Sequence, residues 1–259
     1  MNWLVLGNGA KDIDVCSLSN NTNIIVFNHG FNELVGVCRI QNQKISGLSS
    51  SYTIQGRLPF DGFKTQLNRL HSLLQTELNN VPSSGTALLA TLTASNIKAR
   101  VVGMNLLPSI ARSATLSANI PTPCHFHNWL GERCYALMHR FDQRFDWEAL
   151  HLHKPSSGKL NVSDPFSLLK GLAIAPNDIT LAKLIGNISA DCWLNNSSIE
   201  SLKHAECYFY LKRGQQRTSN WWLYHNEASQ YLADTHIKLA WCQQSLVFSA
   251  QRLFCKDSF

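Results

Sequence analysis

The sequence predicts an α/β fold in which a parallel sheet precedes a mainly helical C-terminal part. Three observations predict it. Short apolar runs at 3–6, 24–27 and 99–104 each end in a turn rich in Gly or Asn, as buried parallel strands do. Between the second and third runs lie two segments of helical character, the arrangement that a parallel sheet needs for its crossovers. Beyond Pro155–Gly158 the chain is less legible, and the segments that can be read there look helical.

The elements follow in order. Trp3–Leu6 reads as a first buried strand stopping at Gly7-Asn8-Gly9, and a short helix can start over Asp12–Ser17. Ile24–Phe27 reads as a second strand ending at Asn28-His29-Gly30. Residues 36–51 are polar and ambiguous. Phe63, Leu67, Leu70, Leu74 and Leu78 recur at helical spacing. Pro82-Ser83-Ser84-Gly85 reads as a loop that opens a buried Ala/Leu-rich helix over Thr86–Ser95. The strand from Ala99 ends at Gly103-Met104-Asn105; Ser109–Pro123 reads as a mobile loop and Glu132–Phe141 as a helix. Further helices are expected over Pro165–Ile174 and Asn177–Ile185, capped by Asp164 and Asn177, and over Glu227–Leu253. The expected division is a Rossmann-like domain over 1–150 and a helical part over 151–259.

Composition narrows the function classes. With 259 residues, 15% charged and seven tryptophans, the chain is long and apolar enough for a core and does not read as disordered. No apolar run approaches bilayer length, and the first residues carry no basic-then-apolar leader pattern. The net charge of +6 is spread evenly, 12 basic and 9 acidic residues up to Leu150 and 11 and 8 after it. A diffuse excess of this kind suits anionic substrates or membranes and does not mark a nucleic-acid binder. The eight cysteines form no Cys-x-x-Cys pair and read as reduced thiols in a cytoplasmic protein.

Three segments carry candidate chemistry, and each has a plainer reading beside it. Gly7-Asn8-Gly9 lets a backbone approach a phosphate or sugar closely, or is an ordinary strand-end turn. It lacks the third glycine of a dinucleotide fingerprint, and Asn28 stands where an acidic ribose ligand belongs, which disfavours NAD. Ser83-Ser84-Gly85-Thr86 suits an anion at a helix start, or simply caps that helix. His127, five residues before Glu132, has the make-up of a general base with an orienting carboxylate, or of a packed loop. Cys124, His125, His127 and Cys134 match no structural zinc spacing, so no metal is expected. Trp221-Trp222 is either core or a platform for a sugar face, and Lys212, Arg213 and Arg217 either form a solvated loop or touch an anionic glycolipid.

The order of these motifs resembles the bacterial lipooligosaccharide sialyltransferases of glycosyltransferase family 42. The resemblance covers roughly residues 1–141. It rests on the strand and Gly-Asn-Gly turn over Leu4–Gly9 and on the turn Phe27-Asn28-His29. It continues through the Ser83–Leu89 helix start, the strand ending at Gly103-Met104-Asn105, and His127 followed by Glu132. The chain departs from the family at Ala10, at Asn105 in place of an Asp, and at Leu106, Leu107 and Pro108, where the family has donor-binding tyrosines.

The resemblance implies a sialyltransferase variant of the GT-A-like fold and a metal-independent, inverting transfer of an acidic sugar, sialic acid or Kdo, from a CMP-sugar. The acceptor would be a glycan or glycolipid such as lipooligosaccharide, reached at the cytoplasmic face of the inner membrane. It implies that Gly7, Asn8, Gly9 and Asn28 hold the nucleotide, with Ser84, Gly85, Thr86 and Asn105 at ribose or phosphate. Arg112 or nearby backbone would replace the missing tyrosines, His127 would be the base, and Glu132 would orient it. Two alternatives stand beside this reading: a non-catalytic nucleotide- or glycan-binding module, and a transferase using a UDP- or GDP-sugar.

Overall fold

The computed structural model describes residues 3–9, 23–28, 31–32, 34, 36–43, 51–113, 115–117, 120, 122, 127–175, 177–209 and 217–256. The expected helix at Asp12–Ser17, and His29, Cys124, His125, Lys212 and Arg213, lie outside these residues.

The chain forms two compact units, Met1–Asn105 with Ala136–His151, and Leu106–Tyr135 with Leu152–Phe259. Residues 106–135, grouped by sequence with the first 150, therefore pack with the C-terminal part. Leu130 shows why: it is fully buried in the same apolar core as Trp193, Trp222 and Leu239.

The first unit is α/β. Its sheet comprises β1 (Trp3–Leu6), β2 (Asn23–Phe27), β3 (Cys38–Gln43), β4 (Ser51–Gln55) and β5 (Ala99–Val102), in the spatial order β4-β3-β2-β1-β5. β1 pairs in parallel with β2 (Val5 opposite Ile25) and with β5 (Val5 opposite Val101), and β2 with β3. All four residues of β1 are buried, the pattern of a central strand covered on both faces.

The polar stretch that is ambiguous in sequence holds β3, and β4 begins at its end; these two pair antiparallel with Ile40 opposite Ile54. Among the described side chains of β3, alternate ones, Cys38 and Ile40, are buried. A run that is apolar on one face only lacks the continuous apolar signature of β1 and β2.

α1 (Phe63–Leu78) buries Phe63, Leu67, His71, Leu74 and Leu78. His71, rather than the half-buried Leu70, completes the stripe, and its Nδ1 lies 2.6 Å from the Tyr52 hydroxyl. α2 (Ser84–Ala94) is buried continuously from Ser84 to Leu92, and its N-cap Ser83 accepts a hydrogen bond from the Thr86 N–H. Beyond β5, Val101 N–H donates to Asp146 O and Asp146 N–H to Ala99 O, so residues 145–147 extend the sheet edge.

The second unit is helical among its described residues. α3 (Trp129–Met138) begins in it, and α4 (Phe141–Arg144) follows in the first unit. α5 (Pro165–Leu172) is capped by Asp164, whose carboxylate accepts the Ser167 N–H at 2.9 Å. α6 (Ile179–Gly186) is capped by Asp178 and not by Asn177, which sits just before it at φ 63°. The Asp178 carboxylate accepts the N–H of Leu181, the third residue of the helix, where a cap has to reach. α7 (Ala190–Asn195) and α8 (Ile199–Ala205) precede α9 (Asn226–Lys256).

The α9 side chain Lys238 is fully buried, and its ammonium donates to the carbonyls of Gly186 and Ile188 at the end of α6. A cation there completes orphaned carbonyls and opposes the negative end of the helix dipole, while burial draws its pKa down. Trp221 and Trp222 are both buried, so they belong to the core rather than to a sugar platform. His151 and His153 are exposed.

Candidate functional site

In open α/β sheets ligands bind beyond the carboxyl ends of the strands, where the strand order reverses. Here the reversal falls at β1, which has β2 on one side and β5 on the other. The first unit gathers its sequence-predicted residues at that end.

Gly7 and Gly9 continue β1 as a tight turn against β5: Gly7 N–H donates to Val102 O at 2.8 Å and Gly9 N–H to Gly103 O at 3.1 Å. A Cβ on Gly7 would lie 2.4 Å from Gly103 O and 2.3 Å from Met104 Cγ, so only glycine permits this approach. Asn8, between them, is exposed, as is Asn105 beyond β5. Gly85, in the first turn of α2, lies close enough that a Cβ there would meet Met104 Cε at 2.3 Å. Met104 thus joins the turn after β1 to the start of α2. Its carbonyl accepts the Trp147 indole N–H at 2.6 Å.

Asn28 ends β2 in the left-handed region at φ 51°, a conformation that Asn tolerates better than most residues. Its N–H donates to Ile40 O, its carbonyl accepts from the Arg39 guanidinium at 3.0 Å, and its side-chain oxygen accepts the Asn42 N–H at 3.3 Å. Asn42 in turn accepts the Ser84 hydroxyl at 2.8 Å. The structure therefore brings Asn28 and Ser84 together through a residue that the sequence reading did not single out. Asn42 and Arg39 lie in β3, inside the polar stretch that is ambiguous in sequence; the recoverable signal of the strand was the Cys38/Ile40 alternation.

The remaining predicted residues lie in the second unit. His127 Nδ1 is 3.9 Å from Glu132 Oε1; the imidazole is 30% exposed and the carboxylate 0%. The His127 ring also meets the edge of Trp129 with centroids 5.1 Å apart. This placement comes from the start of α3. Asn128 folds its side-chain oxygen back onto the Gly131 N–H at 2.8 Å, while its backbone carbonyl accepts the Glu132 N–H. A Cβ on Gly131 would lie 2.7 Å from the Asn128 side chain, so the cap requires glycine there. With α3 so started, Glu132 falls one turn in and faces back toward His127. The adjacent Arg133 is also fully buried; burial lowers its pKa to about 10, which still leaves a cation at neutral pH, and it donates to Gln244 Oε1 at 3.0 Å.

Arg112 is buried and its five N–H donors are committed within the second unit. Nε donates to Asn226 Oδ1, Nη1 to the carbonyls of Ile120 and Leu223, and Nη2 to those of Leu116 and Ser117. It organises the segment after β5, and a role at a donor phosphate would require several of these bonds to break. Among the described residues no three His, Cys, Asp or Glu side chains cluster as metal ligands do, and no helix is long and apolar enough to cross a membrane.

No family model matches the chain, and neither a curated protein nor a solved structure matches it.

Proposed function

We propose that the protein is a glycosyltransferase of sialyltransferase type, built on a Rossmann-like, GT-A-like sheet. It transfers an acidic sugar from a CMP-sugar donor to a glycan or glycolipid acceptor. The observation that carries this reading is the pairing of a partly exposed His127 with the buried Glu132 carboxylate. At 3.9 Å the carboxylate is a charge partner on the Nδ1 side of the ring, and in the reaction proposed here Nε2 takes the proton.

The reaction is a single displacement. The acceptor hydroxyl oxygen attacks the anomeric carbon and His127 Nε2 takes its proton. The bond from the anomeric carbon to the phosphate oxygen breaks with its electron pair, and CMP leaves. One displacement inverts the anomeric configuration. No step needs a metal, because the single phosphate of CMP departs with far less accumulated charge than a diphosphate. Gly7, Asn8, Gly9, Asn28, Ser84, Gly85, Thr86 and Asn105 hold the nucleotide and its phosphate. The glycine turn gives backbone access, and the Asn28–Asn42–Ser84 chain of hydrogen bonds holds polar groups at the carboxyl end of the sheet, which supports a ligand site there. The enzyme works in the cytoplasm against the inner membrane, where such acceptors are assembled, and its diffuse positive charge favours anionic substrates.

Thermal stabilisation by CMP, CDP, UDP, GDP and NAD, with and without chelator, tests the donor class, since a ligand that binds only the native state raises its stability. Stabilisation by CMP or CDP alone, unaffected by chelator, is the expected result. Stabilisation only by UDP, GDP or NAD would overturn the donor assignment, and no stabilisation by any nucleotide would favour a non-catalytic module.

A further inference from the structure

A second buried carboxylate, Glu206, meets the backbone between His127 and Glu132, and the proposed reaction does not use it. Glu206 follows α8 and is 1% exposed. Its Oε2 accepts the Leu130 backbone N–H at 2.9 Å and faces His236 Nε2 at 2.7 Å. His236, on α9, is also 1% exposed, and its Nδ1 is buried with no hydrogen-bond partner. A proton on that nitrogen would be a buried, unsatisfied donor, so the tautomer that fits the site carries its proton on Nε2 and donates it to Glu206 Oε2. α9 supplies a further clasp: Gln243 Nε2 donates to the Leu130 carbonyl at 2.9 Å. Both backbone polar groups of Leu130 are thus held by buried side chains from distant parts of the second unit.

Leu130 lies between His127 and Glu132 in the chain. Its N–H is one of the first-turn donors that no intrahelical carbonyl reaches. Asn128 satisfies the next one, at Gly131. Asn128 alone anchors the turn to itself; the Glu206 carboxylate anchors it to the core.

We propose that Glu206, oriented by His236, is a positioning residue: by accepting the Leu130 N–H it fixes the first turn of α3 and so sets Glu132 opposite His127. This rests on the reading of His127 as the base, but its primary test does not need turnover.

The experiment is NMR of the full chain with isotope-labelled histidine, leucine and glutamate, the glutamate carrying 13C at its side-chain carboxyl. In the wild type, a through-hydrogen-bond coupling between the Leu130 amide nitrogen and the Glu206 carboxyl carbon is expected; its absence overturns the proposal whether or not any variant folds. In a second arm, the His127 ring resonances are expected to respond to Glu132→Gln in the wild-type background and in Glu206→Gln, which keeps an acceptor for Leu130. In Glu206→Leu that response is lost; an undiminished response there overturns the proposal. In transfer assays Glu206→Leu lowers kcat by about tenfold or more with KM for the donor within about twofold, and Glu206→Gln restores most of kcat. Absence of transfer by the wild type would count against the proposed function, while the NMR arms still decide the role of Glu206.

Discussion

His127 Nδ1 and Glu132 Oε1 lie 3.9 Å apart, one group reaching solvent and the other wholly buried. A buried carboxylate is costly unless something answers it, and here a cap at Asn128 and a glycine at 131 are needed to aim it. Substitution Glu132→Gln keeps the shape and removes the charge. Transfer activity is expected to fall by roughly 10²-fold in kcat with little change in nucleotide affinity. Steady-state kinetics with calorimetric CMP titration checks this; an unchanged kcat would show that Glu132 serves packing alone.

Gly131→Ala places a methyl group 2.7 Å from the Asn128 side chain and expels it from the cap. The expected loss is about 1 kcal/mol, the usual worth of an N-cap. Asn128→Ala should cost a similar amount, and the double variant little more than either alone, because both remove one interaction. Urea denaturation of the three variants measures this, and full additivity would show that the two residues act separately.

Arg112→Lys exchanges five fixed donors for three on a single nitrogen. Several of the carbonyls at Ile120, Leu223, Leu116 and Ser117 lose their partner. Stability should drop on the order of 3 kcal/mol, with CMP affinity retained in the folded fraction. Loss of CMP affinity in a variant as stable as wild type would instead place Arg112 at the donor phosphate.

Burial raises the thiols of Cys38 and Cys242 to about 12. Unfolded thiols ionise near pH 9, so between about 9 and 12 the native state binds more protons than the unfolded state, and stability falls as pH rises through that window. Each thiol contributes about 1.4 kcal/mol per pH unit there. Below pH 9 the contribution is constant. Denaturation curves from pH 8 to 10.5 should therefore decline less steeply in Cys242→Ala than in wild type; parallel curves would contradict the assignment. At pH 8.5 the exposed Cys207 should alkylate in the native protein while Cys38 and Cys242 do not.

The fold was legible where burial is two-sided. β1 and β2 announce themselves as continuous apolar runs, and α1 by a stripe in which only His71 breaks the hydrophobic pattern. β3 and β4 were not legible because an edge pair buries alternate residues and reads as polar. At the candidate site, turn-forming residues such as Gly7, Asn28 and Ser83 carry local signals. The pairings of Asn42 and Glu206 carry none: their partners Ser84 and Leu130 lie 42 and 76 residues away, and a hydrogen bond across such a gap leaves no periodicity in the sequence. The packing of 106–135 with the C-terminal part was hidden for the same reason, since it depends on what Leu130 meets in space.

The central claim, that His127 is the base in transfer from a CMP-activated acidic sugar, is tested most directly by one assay. CMP-sialic acid and CMP-Kdo are each incubated with a lipooligosaccharide acceptor and chelator, using wild type and His127→Ala. Product of inverted configuration from the wild type is predicted with one of the two donors, with a rate about 10²–10⁴-fold lower in His127→Ala and CMP binding preserved. Equal transfer by the two proteins, or no transfer from either donor by a wild type that binds CMP, would contradict it.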